Sequence, residues 1–311
     1  MGRFVVRRLL QSALLVLAVM TASFFLIHLT PGGPETALMQ NPRVTGEALQ
    51  RMRQRYGLDD PLPVRYVKWL GSIAVLDFGR SYAYNRPVSD VIAERAWPTF
   101  QLEAVSYLIG MIGIPLGVYA ASKRGAVADN VVRFATVVGT SVPGWWLGLS
   151  IIVLLSSTLG WFPNGQGSGS IWDWARHIII PSVLLGLGGL IGFTRFVRSE
   201  VLEVLSQDYV RTARAKGLAE IDVERSHVLR TALIPVVTIL GGLLPSLLSG
   251  AIIMEQIFNW PGLGRLFIEA ASSRDYPLLL GMLLMGTVLT ILGAFLADIG
   301  YGFVDPRVRY S

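Results

Sequence analysis

The sequence predicts an all-α integral membrane protein with six transmembrane helices. Charged residues make up 15% of the chain and hydrophobic ones 52%, whereas about 25% of an average soluble domain is charged. Apolar runs of roughly 20 residues, long enough to cross about 30 Å of hydrocarbon, recur along it. Short segments between alternate runs gather most of the Lys and Arg, as the positive-inside rule requires of a cytoplasmic face. The chain has no Cys, which excludes disulfides, thiolate zinc sites and thiol chemistry. Its formal net charge of +6 could suit nucleic acid. The basic residues flank apolar runs instead of lining one polar face, so a lipid bilayer is the expected partner and nucleic acid is not.

The first element follows Arg3, Arg7 and Arg8, which should stay inside. Leu9 to Leu29 then runs without Asp, Glu, Lys or Arg, so the first span is expected to run outward and, lacking a following A-x-A site, to be retained. Pro31-Gly32-Gly33-Pro34 stops it. Residues 31–99 read as a long external loop. Helix-like stretches occur at Glu47 to Tyr56, ending at Gly57, and at Val64 to Ile73, and Ser89 could cap a third over Asp90 to Ala96. This loop carries many Arg, which positive-inside tolerates because long loops translocate regardless of charge. Ser81 and Ser168 are expected to be reachable from outside, and Ala219 is not.

Phe100 to Ala121 is the second span, with Gly110, Gly113 and Gly117 as points of close helix approach. A third span runs to Leu159, and Pro143-Gly144 near its start predicts a break. Gly160 to Arg176 is a short external loop. Its GQGSGS is no phosphate cradle, because no Lys-Ser/Thr follows. Ile178 to Phe196 is the fourth span. Its GLGGLIG suits close packing better than dinucleotide binding, which needs a preceding strand. Leu233 to Met254 is the fifth span, residues 255–277 form a third external segment, and Leu278 to Leu296 is the sixth span. Both termini then lie inside.

Between spans four and five sits the longest polar, helix-prone segment of the second half, YVRTARAKGLAEIDVERSHVLRTALIP, Tyr209 to Pro235. A simple connection needs only a few residues. This one carries Arg211, Arg214, Lys216, Arg225 and Arg230. Its first half reads as a helix with Ala213 and Ala215 as small contact points, Gly217 sits where a left-handed stop is wanted, and a second helix follows over Ala219 to Arg230. By charge alone it could be a solvated basic loop.

Arg211-Thr212-Ala213 with Gly217 beyond resembles the "EAA…G" cytoplasmic loop of ABC-importer permeases. Arg211 stands where the motif has Glu, and His227, Val228, Leu229 and Arg230 stand where it has Ile-x-Leu-Pro. Both departures resemble the dipeptide/oligopeptide/nickel branch. So do RYGLDDPLPVRYVKWL and LDFGRSY in the first loop and the tail DIGYGFVDPRVRY. Residues 255–264 resemble the branch's E-x-x-F-x-x-P-G-L-G stretch through Glu255, Phe258, Pro261, Gly262, Leu263 and Gly264.

The resemblance implies a type I ABC-importer permease architecture, with residues 1–30 as inner segment and first span, 31–99 as external loop, 100–303 as permease core and 304–311 as inner tail. It implies that segment 197–232, with Tyr209, Arg211, Thr212, Ala213, Arg214, Lys216, Gly217, Arg225 and Arg230, docks two cytoplasmic ATPase subunits, and that Ala213 faces one of them. Glu255, Phe258, Pro261, Gly262 and Gly264 would lie at the outer mouth. The other implied partners are a second permease, a paralogue, and an external substrate-binding protein. ATP and Mg would be bound by the ATPase subunits, with no cofactor in this chain and no catalytic or metal site. The mechanism implied is alternating access.

The residues support this by what they lack. No G-x-x-x-x-G-K-[ST] occurs, so the chain should not hydrolyse ATP itself. His28, His177 and His227 are far apart, which argues against a metal site. The spans read as nearly free of ionisable residues at their centres and the chain as free of buried carboxylates, unlike a proton- or ion-coupled carrier. A self-sufficient carrier or channel is the rival reading, and a soluble enzyme is excluded by the apolar spans. The substrate, whether peptide, nickel, glutathione or sugar, is not legible.

Overall fold

The computed structural model describes residues 2–35, 46–158, 160, 169–241 and 251–304, and among these it is helical, with one isolated β-bridge between Arg80 and Pro87. Helix α1 is Gly2–Leu29. The region expected to be external contributes α2, Gly46–Arg55, and α3, Leu62–Ala74. Then come α4, Val88–Met111, α5, Gly113–Ser122, α6, Val127–Ser141, and α7, Gly144–Ile151, which continues as a π-helical turn over Ile152–Thr158. Helix α8 is Ile171–Leu205 and α9 is Asp208–Ala215. Residues 220–232 form α10, with π-helical hydrogen bonding over Val223–Leu229. Last are α11, Ile234–Gly241, α12, Ile252–Ile257, α13, Leu263–Ser272, and α14, Tyr276–Val304.

Four of these stretches are long and apolar enough to span a membrane: Val6–Leu29, Val88–Ser122, Ile171–Leu205 and Tyr276–Phe295. A fifth arises if α6 and α7, bent by 83° at their junction, count as one broken span. The bend follows from Pro143-Gly144. The residue before a proline is pushed out of helical geometry, and Val142 is extended at φ −107°, ψ 122°. Of the expected span over Leu233 to Met254, residues 242–250 lie outside the described residues, and α11 and α12 fall on either side of them.

Helix boundaries differ from the sequence reading in two places. Ser89 does not cap a separate helix. Pro87 precedes the first turn of α4, which runs from Val88 straight through Pro98 and Thr99 into the membrane span, and the Ser89 hydroxyl bonds Asp90 at 3.1 Å. The break comes at Ile112 instead. Pro115 there has no amide to donate to the carbonyl four residues back. Helix α8 begins at Ile171, earlier than expected, because Ser170 caps it by accepting from the Asp173 amide at 3.4 Å. It ends at Leu205, inside the segment expected to be a loop. At 1.5 Å per residue its 35 residues extend about 50 Å, well beyond about 30 Å of hydrocarbon.

Packing is closest where α8 meets α4 and α5. Gly110 and Gly189 face each other so that a β-carbon added to Gly110 would lie 3.5 Å from the Gly189 Cα. One added at Gly186 would lie 2.6 Å from the Ser106 carbonyl, one at Gly117 2.7 Å from the Thr194 carbonyl, and one at Gly113 would overlap the Leu190 carbonyl. In lipid, where apolar burial gives no preference for protein over acyl chain, such backbone approach supplies much of the association. Towards its C-terminal end α8 is joined to α6 by an ion pair. Arg198 of α8 donates to Asp129 of α6 through Nε at 2.6 Å and Nη2 at 2.9 Å, and the Gly125 amide adds a third bond at 3.0 Å.

The reading of no buried carboxylates is corrected here. Asp129 is buried against Arg198, Glu103 is buried within α4, and Glu255 and Asp275 are fully buried. Partners of Asp129, Glu255 and Asp275 come from other segments, so sequence position did not show these as buried.

Gly113→Ala and Gly186→Ala should each force the α8 seam apart. Overpacking of this kind costs about 1–3 kcal/mol, read as a lowered unfolding temperature of the detergent-solubilised chain. Gly188→Ala and Gly192→Ala, whose added β-carbons meet nothing within 4 Å, should leave it unchanged.

Candidate functional site: an inner hairpin and an outer brace

The inner site is built on the projecting end of α8. After Leu205 the chain turns, α9 folds back, and Val210 and Ala213 pack on Val197, Val201 and Val204 of α8 together with Val223, Val228 and Ala232 of α10. A π-helical stretch in α10 brings both Val223 and Val228 into this cluster, five residues apart. Lys216 closes α9 by donating to the Thr212 carbonyl at 3.1 Å, and Gly217 follows at φ +79° with its amide on the Arg214 carbonyl at 2.9 Å. No neighbour lies within 4 Å of an added β-carbon there, so the requirement for glycine is conformational. Across the turn Arg214 donates to both carboxylate oxygens of Glu220, through Nε at 3.1 Å and also through Nη2. That bond holds the Glu220 carboxyl below its ordinary pKa. Both side chains are exposed, and such pairs contribute about 0–1 kcal/mol.

The expectation that Ala213 faces a partner is overturned. It is 4% exposed and lies inside this chain's own core. The reason is helical phase: Val210 and Ala213, three apart, share the face that meets α8. Other positions of the hairpin are exposed, although the Tyr209 hydroxyl reaches the His227 carbonyl at 3.5 Å. Tyr209, Leu218 and Ile221 are exposed apolar or aromatic groups, and Arg211, Thr212, Lys216, Arg225 and Arg230 are exposed around them. Arg211 leans on Asp208 at 3.5 Å. Sequence reasoning passed over Leu218 and Ile221, although an apolar residue on either side of a polar helix start was a visible signal.

The outer site has Glu255 at its centre. Its Oε1 accepts from the Thr99 hydroxyl at 2.8 Å and its Oε2 from the Arg265 amide at 2.9 Å. The Thr99 oxygen in turn accepts from the Leu263 amide at 2.7 Å. Glu255 therefore caps the N-terminus of α13, where unpaired amides and the helix dipole favour a carboxylate. Trp260, also fully buried, donates to the Pro98 carbonyl at 2.9 Å. Gly262 has no room for a side chain, because a β-carbon would overlap the Glu255 carboxylate, and one at Gly264 would come 2.6 Å from the Ile252 Cα. Phe258 packs on Leu184 of α8 and on Met254. Glu255, Phe258, Gly262 and Gly264 are thus buried and Pro261 half-buried. They join α4, α8 and α13 as an internal brace and form no exposed rim.

A second set of bonds ties the first external loop to the third external segment. Asp275 accepts from the Ser81 hydroxyl at 2.5 Å and the Ala83 amide at 3.0 Å, and caps α14 by accepting from the Leu278 amide at 3.2 Å. Ser81 is fully buried in this contact, contrary to the expectation that it is reachable. Ser168 lies outside the described residues. Glu269 accepts from the Tyr84 hydroxyl at 2.7 Å and from Arg265 Nε at 2.8 Å. Burial pushes its carboxyl up, but these two bonds outweigh it and leave the pKa below the usual value.

Residues 113–310 match the family described as binding-protein-dependent transport system inner membrane component, and residues 1–103 match its N-terminal counterpart. An oligopeptide transport system permease protein of Bacillus subtilis (strain 168) is 41% identical over 317 residues, covering all of both chains. A putative peptide transport system permease protein of Brucella abortus (strain 2308) is 38% identical over 315 residues, and a glutathione transport system permease protein of Salmonella choleraesuis (strain SC-B67) is 38% identical over 312. Both alignments also cover both chains completely. Among solved structures, the inward-facing MetNI methionine ABC transporter matches with a TM-score of 0.52 and 21% identity, over 69% of this chain and 96% of that one. This last likeness is one of fold.

Ala213→Asp should unfold the hairpin in the chain on its own, since an unpaired buried carboxylate costs several kcal/mol even after relaxation. Limited proteolysis of the solubilised chain should then cut within residues 206–232. Ala215→Asp, at an exposed position, should give the parent pattern.

Proposed function

Since the chain belongs to the binding-protein-dependent transport system inner membrane components and is a permease subunit of an ABC importer, we propose that it walls half of a peptide path and is driven through its inner hairpin. The observation that carries this is the two-sided hairpin. One face is fixed to α8 by Val210, Ala213, Val223 and Val228, and the other leaves Tyr209, Leu218 and Ile221 exposed among basic side chains. A mixed apolar and basic surface of this kind fits a partner that moves, because the partner's displacement reaches α8 without the hairpin giving way.

Two ATPase subunits would bind ATP and Mg and dock on the hairpins of a permease pair, the second member being a paralogue. An external substrate-binding protein would deliver the solute at the braced outer face. Both termini would lie inside. ATP-driven closure would then switch the path between inward- and outward-facing states, provided the hairpin makes different contacts in each. The printed names of the relatives, oligopeptide, peptide and glutathione permeases, favour a peptide-like solute. Glu103, a carboxylate buried within a span, is the observation that favours a self-powered carrier instead.

Reconstitution separates the two readings. Uptake into vesicles should require ATP, the ATPase subunits and the binding protein, and the chain alone should not hydrolyse ATP. Ile221→Asp should reduce co-purification of the ATPase subunits by at least tenfold, which corresponds to about 1.4 kcal/mol, without lowering the unfolding temperature of the chain. Glu220→Ala, losing one exposed pair, should be close to neutral. Uptake without ATP, or parent-like assembly by both Ile221→Asp and Tyr209→Ala, would overturn the proposal.

A further inference from the structure

Helix α3 is apolar on two faces. One face is accounted for inside the chain: Leu62, Tyr66, Trp69 and Ile73 pack against Met20 and Phe24 of α1 and Leu280 and Leu284 of α14. The other carries Val64, Val67, Gly71, Ala74 and Val75, all exposed, and Leu76 continues it just past the helix end. Residues at this spacing form one continuous stripe along a helix. Its one charge is Lys68, which reaches back to Asp60 at 2.6 Å. A helix in an aqueous loop should place polar groups opposite its buried face. Its neighbour α2 has Glu47, Arg53 and Gln54 exposed.

The depth of α3 follows from what it touches. The Tyr66 hydroxyl pairs with the Thr21 hydroxyl at 2.7 Å, and the Phe24 ring lies 5.3 Å from that of Tyr66 and 5.2 Å from that of Trp69. Thr21 is a little over two turns before the outer end of α1, about 12 Å along the axis. Leu284 is a similar distance inside α14, whose apolar span starts at Tyr276. These partners belong to segments long and apolar enough to cross the hydrocarbon, and a helix packed alongside them would share their depth. The Thr21–Tyr66 bond fits that setting, where a hydroxyl without a partner is costly. Lys68 and Arg65 are long enough to carry their charges up to the headgroups.

We propose that α3 is sunk in the outer leaflet and that its second face is covered by lipid acyl chains, although it belongs by sequence to the external loop. The exposed apolar surface of α1, with Leu14, Leu17 and Leu26 on a helix long and apolar enough to span a membrane, lies beside this face. The element would act as a fixed prop beside α1, and the aqueous part of the loop would reduce to α2 and the turns around it.

Because the chain has no Cys, nitroxide labels can be placed singly at Val67→Cys and Val75→Cys, with Gln54→Cys on α2 as the aqueous reference. The complete transporter is reconstituted in phosphatidylcholine–phosphatidylglycerol vesicles without the binding protein, and label relaxation is measured with oxygen, which concentrates in acyl chains, and with a water-soluble nickel chelate. At 67 and 75 oxygen should dominate several-fold, and at 54 the chelate should. Domination by the chelate at 67 and 75 would overturn the proposal by placing α3 in water. Protection of both positions from both reagents would overturn it by showing a protein there.

Discussion

The backbone contact of α8 with α4 and α5 is the constraint on which the other features depend. Gly113 and Gly117 on one side and Gly186 on the other bring the main chains to a separation that no side chain could share, and Gly110 faces Gly189 between them. Inside a bilayer apolar side chains gain little by leaving lipid for protein, so the helices need contact of this kind to stay in register. Once α8 is fixed there, its length sets the rest. Its outer half presents Leu184 to Phe258 and so seats the Glu255 brace. Its inner end presents Val197, Val201 and Val204, on which the hairpin folds.

The two ends are held by different physics. Outside, fixed hydrogen bonds dominate: Glu255 caps α13 and holds Thr99, and Asp275 caps α14 and holds Ser81. A buried carboxylate with several donors is directional, and leaving its donors without a partner costs about 1–3 kcal/mol each. Inside, the hairpin rests on valine and alanine side chains, with Arg198 and Asp129 as a directional contact beside them. An apolar seat backed by an exposed basic and aromatic face is consistent with the proposed docking of a partner on the hairpin.

Much of this was legible in the sequence where the cause is local. Gly217 takes the left-handed turn that its place after a helix suggested, and Pro143 breaks the third span because its effect on Val142 is steric and immediate. The glycines of the second and fourth spans pack as small residues in membranes do. What was not legible depended on tertiary partners. The phase of α9 decides whether Ala213 looks out or in, and that phase is set by valines on α8 and α10. Glu255 sits in a stretch that reads as an external rim, yet its donors come from Thr99, far away in sequence, and from the first turn of α13. Ser89 had the chemistry of a cap, but Pro87 had already started the helix. Helix α3 reads as part of an aqueous loop, and its contacts with Thr21 and Phe24 are tertiary ones that the sequence does not display.

The central claim is that α8 and the hairpin move as one rigid piece. It is tested most directly by pulsed electron–electron distance measurement between nitroxides at Trp172→Cys, at the outer end of α8, and Ile221→Cys, on the hairpin, both exposed in the chain. The account predicts the same narrow distance distribution in the nucleotide-free and ATP-trapped transporter, while the distance between the Ile221→Cys hairpin and a label on the second permease changes. A shift or broadening of the Trp172–Ile221 distance between the two states, with the hairpin moving relative to its own α8, would contradict it.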